Sequence, residues 1–182
     1  MKPILIAALL AAAPASAKVV SMTAQGFEST ERATVKASPA EVYRTLVDIA
    51  GWWDGAHSYS GDAANLSIDA RPGGCWCERL ADGAIEHMRI VYAQPGAVLR
   101  AQGGLGPLQA EGVTGSLTYT IKPAAGGGSE LTQTYVVGGY VRQGAEKLAP
   151  AVDGVMGQGF ARLVSKLETG SPTAAKRAEP SR

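Results

Sequence analysis

A single long amphipathic helix, predicted near the end of the chain after a series of short strands, limits the folds open to this sequence. Pro150 should kink this helix or mark its true start, because an interior proline removes a backbone hydrogen bond. Gly154, Gly157 and Gly159 indicate either close approach to the sheet or space left beside the helix. Gly170 should end it. The apolar stripe consists of Leu148, Val152, Val155, Met156, Phe160, Leu163, Val164 and Leu167.

Before this helix the hydrophobic period is two, which is typical of strands. The connecting segments are too short for crossover helices, so the strands must pair antiparallel. One helix cannot cover both faces of a sheet of six to seven strands, and we therefore expect an α+β fold in which a curved sheet wraps around the helix. The alternating segments are residues 27–36, 66–70, 75–80, 85–93, 98–102, 113–122 and 131–137.

A capping box predicts where the first helix begins. The Ser38 side chain can accept from the backbone of Glu41 while the Glu41 carboxylate accepts from the backbone of Ser38, and Pro39 occupies the first helical position. The pattern breaks at Gly51. We expect two short helices in the region after the first strand.

Both ends of the chain are expected to lie outside the domain. Lys2, an apolar stretch at residues 4–13 and Ala15-Ser16-Ala17 have the pattern of a cleaved export signal. The apolar stretch is short of the roughly 20 residues that span a bilayer, so an uncleaved anchor is the weaker alternative. We therefore expect a signal peptide at 1–17, a periplasmic or secreted protein with no stable membrane span, one domain at 18–170, and a disordered tail at 171–182.

Charge does not favour a nucleic-acid partner. Loss of Lys2 with the signal peptide leaves 16 of the 17 basic residues against 16 acidic ones. Basic residues cluster only at Lys176-Arg177, and the sequence has no basic stripe rich in aromatic residues. We expect no nucleic-acid binding.

The cysteine and histidine content does not favour a metal site. Cys75 and Cys77 are the only cysteines, and residues two apart in an extended strand lie about 6.5 Å apart at Cα, near the upper limit for a disulfide. We therefore expect two buried reduced thiols, with a disulfide as the alternative in an oxidising compartment. His57 and His87 are the only histidines, so we expect neither a metal site nor a cofactor.

Several motifs point to one protein family. They are Ala37-Ser38-Pro39-Ala40-Glu41-Val42 ahead of Gly51-Trp52-Trp53, then Arg71-Pro72-Gly73-Gly74, Val91-Tyr92-Ala93-Gln94-Pro95-Gly96 and Leu105-Gly106-Pro107-Leu108-Gln109. With the order of elements, they resemble the START-related SRPBCC superfamily of helix-grip proteins over about residues 27–170. The likeness is closest to the polyketide-cyclase-like and heat-shock-ATPase-activator-homologue branches, and the last motif resembles their exported bacterial members. The resemblance implies a cavity between sheet and long helix that holds apolar molecules, with catalysis in only some members.

We expect a carrier or sensor whose cavity binds a small apolar molecule, namely a lipid, a polyketide or an aromatic compound. Gln133 lies among apolar residues on its strand face, so its amide needs a partner. One of the two adjacent tryptophans should reach the pocket, and His57 should lie in a loop at its mouth. The residues expected to bind the ligand are Trp53, His57, His87, Tyr119, Gln133, Tyr135, Met156 and Phe160.

Two alternatives stay open, and no catalytic residue is assigned. In a cyclase-like or dehydratase-like enzyme, His87 would act as general base on a polarised ketone while Tyr119 or Tyr135 donates to the developing oxyanion. Otherwise His87 is a hydrogen-bonded structural residue. A protein-interaction module related to chaperone ATPase activators is the second alternative, and an exposed apolar patch on the outer sheet face would favour it.

Overall fold

Eight antiparallel strands and a long C-terminal helix form most of the structure, a computed structural model that describes residues 18–173. The predicted signal peptide and residues 174–182 of the predicted tail lie outside the described residues. The strands are β1 (Lys18–Thr23), β2 (Gly26–Val35), β3 (Leu66–Ile68), β4 (Cys75–Leu80), β5 (Gly83–Gln94), β6 (Val98–Gln102), β7 (Gly112–Pro123) and β8 (Ser129–Tyr140). The helices are α1 (Pro39–Val47) and α2 (Ala145–Thr169).

The sheet runs in the order β1-β2-β8-β7-β6-β5-β4-β3, and the predicted α+β helix-grip class is confirmed. The strand that the sequence pattern did not reveal is β1. Its register against β2 shifts between Val19 and Ser21, and this irregularity interrupts the alternation that would have marked the strand. The described residues therefore form eight strands rather than six or seven.

One α-helix and three short 3-10 turns occupy the region where two short helices were expected. The capping box at Ser38 and Glu41 is present, with the Ser38 N–H donating to Glu41 Oε2 at 2.9 Å. The turns Ile49–Gly51, Gly55–His57 and Ala63–Asn65 follow. Each of these turns spans only three residues. The segment is rich in Gly, Ser and Asp, which favour turns and loops over a longer helix.

The long helix α2 begins five residues before Pro150, at Ala145, and ends at Gly170 as predicted. Pro150 lies in its second turn. The N–H that proline lacks costs one backbone hydrogen bond there, close to the N-terminal end of the helix. Gly170 has φ of 78°, and its N–H donates to the Lys166 carbonyl at 2.9 Å. The left-handed backbone at this position favours glycine.

A close contact fixes α2 against the turn that carries the two tryptophans. A Cβ at Gly159 would lie 2.7 Å from Trp53 Cζ3, so only glycine allows this approach. The Arg162 guanidinium donates to the carbonyls of Trp52 and Trp53, at 2.9 and 3.2 Å. By contrast, a Cβ at Gly154 would meet no heavy atom within 4 Å. The close approach at Gly159 is therefore to a turn rather than to the sheet that was expected, and Gly154 has open space beside it but does not line the cavity described below.

The expectation of reduced thiols is wrong, because Cys75 and Cys77 form a disulfide. Their Cα atoms are 5.3 Å apart, closer than the separation in an extended strand that argued against the bond. The pairing of β4 with β5 shifts its register at this point, between Trp76 and Cys77. The strand departs there from regular extended geometry, and the shorter separation suits a disulfide.

A row of buried polar side chains lies on the inner face of three neighbouring strands. Glu31 of β2 is directly opposite Gln133 of β8, which is opposite Tyr119 of β7. Both carboxylate oxygens of Glu31 lack a hydrogen-bond partner within residues 18–173, and the side chain is 1% exposed. Burial, with a smaller contribution from the charge of Asp153, raises the pKa of Glu31 to about 7. In the folded protein the Glu31 carboxyl therefore stays mostly protonated until the pH reaches about 7.

We predict that the folded protein loses stability as the pH rises from about 4.5, the ordinary pKa of Glu31, to about 7, its folded value. Over this range the unfolded chain has released the proton that the folded state still holds. Glu31→Gln removes the buried charge, so above pH 7 it should stabilise the protein by about 1–3 kcal/mol. Urea unfolding across this range measures the effect.

The matched control for this prediction is Glu28→Gln, which changes a partly buried carboxylate on the opposite face of the same strand. It should leave the pH dependence in place. A Glu31→Gln protein that follows the same pH profile as the wild type would contradict the prediction.

The two helix glycines should respond to alanine in opposite directions. Gly159→Ala forces a methyl group into the Trp53 ring and should destabilise the protein by roughly 1–3 kcal/mol. Gly154→Ala adds a methyl group to open space and should stabilise the helix by up to about 1 kcal/mol. Urea unfolding midpoints measure both, and shifts of the same sign would show that α2 does not pack as described.

Candidate functional site

A cavity of about 380 Å³ lies between α2 and the turns that follow α1. One helix face forms a wall with Ala151, Val152, Val155 and Met156, whose spacing places them on adjacent turns of α2. The other walls come from residues 53 and 56–59, from 105–107, and from side chains of β4 and β5. The helix stripe predicted from the sequence therefore lines an open space for part of its length.

Two hydrogen bonds connect the segments at the rim of this cavity. His57 Nε2 lies 3.1 Å from Gln158 Oε1 of α2. The Tyr59 hydroxyl donates to the Gly106 carbonyl at 3.1 Å, although its ring is largely exposed. The turns after α1 are thus tied to both the helix and the segment before β7.

Aromatic rings form much of the wall opposite the helix. The Trp53 and Trp76 rings meet edge to face, with centroids 5.4 Å apart. The His87 ring is near both Tyr59 and Trp76, at centroid distances of 5.8 and 6.3 Å. The cavity therefore has an aromatic wall as well as the aliphatic face of α2.

A bulge in β5 turns His87 toward this cavity. Trp76 pairs with Met88 while Cys77 pairs with Glu86, so His87 is the extra residue between them. In a regular strand His87 and Met88 would point to opposite faces, but both are buried here. The bulge therefore adds a histidine to the inner face without removing a core residue.

Glu78 holds His87 by one ring nitrogen. The Glu78 carboxylate lies 2.9 Å from His87 Nε2 and also accepts the backbone N–H groups of Tyr59 and Ser60. Burial alone opposes ionisation of Glu78, but the hydrogen bonds from Ser60, Tyr59 and His87 outweigh it and lower the pKa of Glu78 to about 2. A fully buried, ionised carboxylate thus fixes the histidine in place.

The structure brings four of the eight proposed ligand-binding residues together. Trp53, His57, His87 and Met156 all line the cavity. Trp52 is buried in the core, where its indole N–H donates to the Leu46 carbonyl at 3.1 Å. A ligand contact by any of these residues stays a prediction.

The other four proposed residues lie away from the cavity lining. Phe160 is fully buried in the core. Gln133 is also fully buried, with its amide donating to the Met156 carbonyl at 3.5 Å and its oxygen unpartnered within residues 18–173. Tyr119 lines a separate void of about 10 Å³, close to the size of one water molecule. The Tyr135 hydroxyl donates to the Gly103 carbonyl and accepts from the Leu105 N–H.

The meeting of His87 with Tyr119 or Tyr135, which the enzyme hypothesis required, is therefore not present. Burial raises the pKa of Tyr135 to about 12 and that of Tyr119 further still. Both hydroxyls remain protonated, but neither residue shares the cavity with His87. The partner of His87 is instead Glu78, which sequence reasoning missed because strand register decides their distance.

Two wider features of the described residues bear on the kind of site. Within residues 18–173, no three or more His, Cys, Asp or Glu side chains group together in a way that could hold a metal ion. No helix in the same part of the chain is both long enough and apolar enough to cross a membrane.

Solved structures that resemble this chain share its fold. A conserved protein of unknown function from Enterococcus faecalis has a TM-score of 0.55 at 17% identity, covering 88% of this chain and 80% of its own. An uncharacterised protein from Rhizobium leguminosarum has a TM-score of 0.56 at 18% identity, and the match covers 81% of this chain and 99% of that protein. CalU16 from Micromonospora echinospora has a TM-score of 0.53 at 12% identity, and the match covers 87% of this chain and 86% of CalU16. At these identities the similarity shows the fold alone.

The sequence comparisons agree with the fold. A search of curated proteins found no significant match. The family described as polyketide cyclase / dehydrase and lipid transport matches residues 26–168, which is most of the chain and includes every strand except β1. The chain therefore belongs to the polyketide cyclase / dehydrase and lipid transport family, within the SRPBCC superfamily.

Proposed function

We propose that the protein binds a small apolar molecule in the cavity between α2 and the aromatic wall. The observation that carries this proposal is the cavity itself. Its volume of about 380 Å³ is in the range of small-molecule sites, which run from about 300 to 1,000 Å³. The family description, which includes lipid transport, supports the same function.

The lining favours binding through apolar contact. Val152, Val155 and Met156 offer aliphatic and thioether groups on one side, while Trp53 and Trp76 offer aromatic rings on the other. Burying an apolar ligand between them is favourable by roughly 25 cal/mol for each Å² removed from water. The few polar groups can then orient the molecule rather than supply most of its binding energy.

A carrier or sensor role fits this arrangement better than the alternative of a cyclase-like or dehydratase-like enzyme. The tyrosines that were to stabilise an oxyanion lie elsewhere, and Tyr135 is already hydrogen-bonded to the backbone. With the export signal proposed for residues 1–17, the ligand would be carried or sensed in the periplasm or outside the cell.

Filling the cavity should weaken binding of an uncharged apolar probe, N-phenyl-1-naphthylamine. Val155→Trp places an indole in the space between α2 and the aromatic wall, so we predict at least a roughly tenfold rise in Kd, which corresponds to about 1.4 kcal/mol. Titration of the probe, followed by its fluorescence, measures the change.

The matched control is Ala161→Trp, which adds the same indole at an exposed position of α2 outside the cavity. It should bind the probe like the wild type. Equal binding by the wild type and Val155→Trp, with both proteins folded by circular dichroism, would place the probe elsewhere and contradict the proposal.

A further inference from the structure

We propose that the disulfide between Cys75 and Cys77 is a thiol-exchange site. A small thiol, with the chemistry of glutathione, opens the bond in the folded protein, and its reduction loosens the cavity wall on the other face of the sheet. This inference goes beyond the proposed function, because the reaction needs no ligand in the cavity.

The disulfide lies on the outer face of the sheet, away from the cavity. Side chains alternate along β4, and Trp76 and Glu78 are buried on the inner face, at 3% and 0% exposure. Cys75 and Cys77 therefore point outward, and both are half-buried. The neighbouring strand β3 has only three residues, and its Ser67, opposite Cys77, is exposed. A small thiol can therefore reach the two sulfur atoms without unfolding of the core.

An ion pair crosses the same bulge as the disulfide. Cys75 pairs with Arg89 of β5. Cys77 pairs with Glu86, so one residue of β4 lies opposite two residues of β5. The Arg89 guanidinium donates to the Glu86 carboxylate, although residues three apart in a regular strand point to opposite faces. The disulfide thus spans the bulge on β4, and the ion pair spans it on β5.

The residues enclosed by these two links belong to the cavity wall. Trp76 lies between the two cysteines, His87 is the extra residue of β5, and both line the cavity. The ring closed by the disulfide restricts the backbone of Trp76. Once the bond opens, the Cα atoms of the cysteines can move from 5.3 Å toward the roughly 6.5 Å of an extended strand. We therefore expect reduction to loosen this wall while the rest of the sheet stays in place.

The position of Arg89 indicates which sulfur leaves when a thiolate attacks. Its guanidinium donates to the Gly73 carbonyl at 2.9 Å, and its strand position is opposite Cys75. A cation beside a sulfur stabilises the thiolate, and a more stable thiolate leaves faster. Cys77 is opposite the Glu86 carboxylate instead. The thiol should therefore attack Cys77, and Cys75 should leave.

The exchange takes two steps and consumes two small thiols. First, the external sulfur forms a bond to Cys77 Sγ while the Sγ–Sγ bond breaks, and the electron pair stays on Cys75 as a thiolate. Then a second thiolate attacks the external sulfur of the mixed disulfide, and Cys77 leaves. The two cysteines are reduced and take up the protons that the external thiols release, while those thiols are oxidised to their own disulfide.

Reduced glutathione at millimolar concentration tests the exchange site, with acid quenching, alkylation and mass spectrometry as the readout. The bond should open at the same rate with and without urea below the unfolding transition, because the folded protein reacts. Opening that speeds up in proportion to the unfolded population would overturn the exchange site.

Peptide mapping of the first glutathione adduct tests the role of Arg89. The adduct should lie mainly on Cys77 in the wild type. Arg89→Gln should bring the share on Cys77 down to about one half, because the cation no longer distinguishes the two sulfurs. The matched control is Arg100→Gln, which removes an exposed arginine on β6, two strands away, and should keep the preference. A first adduct on Cys75 in the wild type would overturn this role.

Hydrogen exchange of the oxidised and reduced wild type tests the coupling to the cavity wall. Reduction should speed exchange by about tenfold or more in peptides that cover β4 and the bulge of β5, and leave peptides from β7 and β8 unchanged. A double variant, Cys75→Ser with Cys77→Ser, should match the reduced protein. Equal exchange in the two redox forms, or a uniform rise over the whole sheet, would overturn the coupling.

These measurements use the protein without a cavity ligand, so their outcome is separate from that of the proposed function. Failure of N-phenyl-1-naphthylamine to bind would leave the exchange site standing. A disulfide that resists glutathione in the folded protein would overturn the exchange site and leave apolar binding standing.

Discussion

The close packing of α2 against Trp53 sets the position of the helix that forms one wall of the cavity. Gly159 lets the helix approach the indole ring of Trp53. The Arg162 guanidinium also donates hydrogen bonds to the backbone carbonyls of Trp52 and Trp53. C-terminal to this contact, Leu163 is buried in the core. N-terminal to it, Val155 and Met156 face the cavity. One amphipathic helix thus serves as a core element and as one wall of the cavity.

The polar part of the site depends on a fully buried carboxylate. A buried charge is tolerated when several donors satisfy it, and Glu78 receives two backbone N–H groups as well as the His87 ring. The backbone donors belong to the turn that carries Tyr59, so the same carboxylate links the loop at the rim to the histidine in the wall. The position of this loop and the orientation of His87 are therefore coupled through Glu78.

Local chemistry made the helices and most strands predictable from the sequence. The capping box at Ser38 and the C-terminal Gly170 act within one helical turn, so residue types alone indicate them. The turn after Trp53 could not be assigned in the same way. Its three-residue 3-10 segments are held by contacts with distant elements, including the bond between His57 and Gln158.

The site chemistry depended on features that leave little trace in the sequence. The bulge at His87 breaks the alternation that assigns residues to faces, and the register of β4 against β5 brings Glu78 within hydrogen-bond distance of His87. The departure from regular geometry at this place also accompanies the disulfide between Cys75 and Cys77. Tyr119 and Tyr135 were placed correctly on a buried face, but that face extends well beyond the cavity.

The most direct test of the account is a crystal structure of the protein grown with N-phenyl-1-naphthylamine. We expect the probe to lie between Val155 and Trp53, with the helix and the aromatic wall in the positions described here. A structure in which side chains fill this space, or in which the probe lies on the outer face of the sheet while the cavity holds only water, would contradict the central claim.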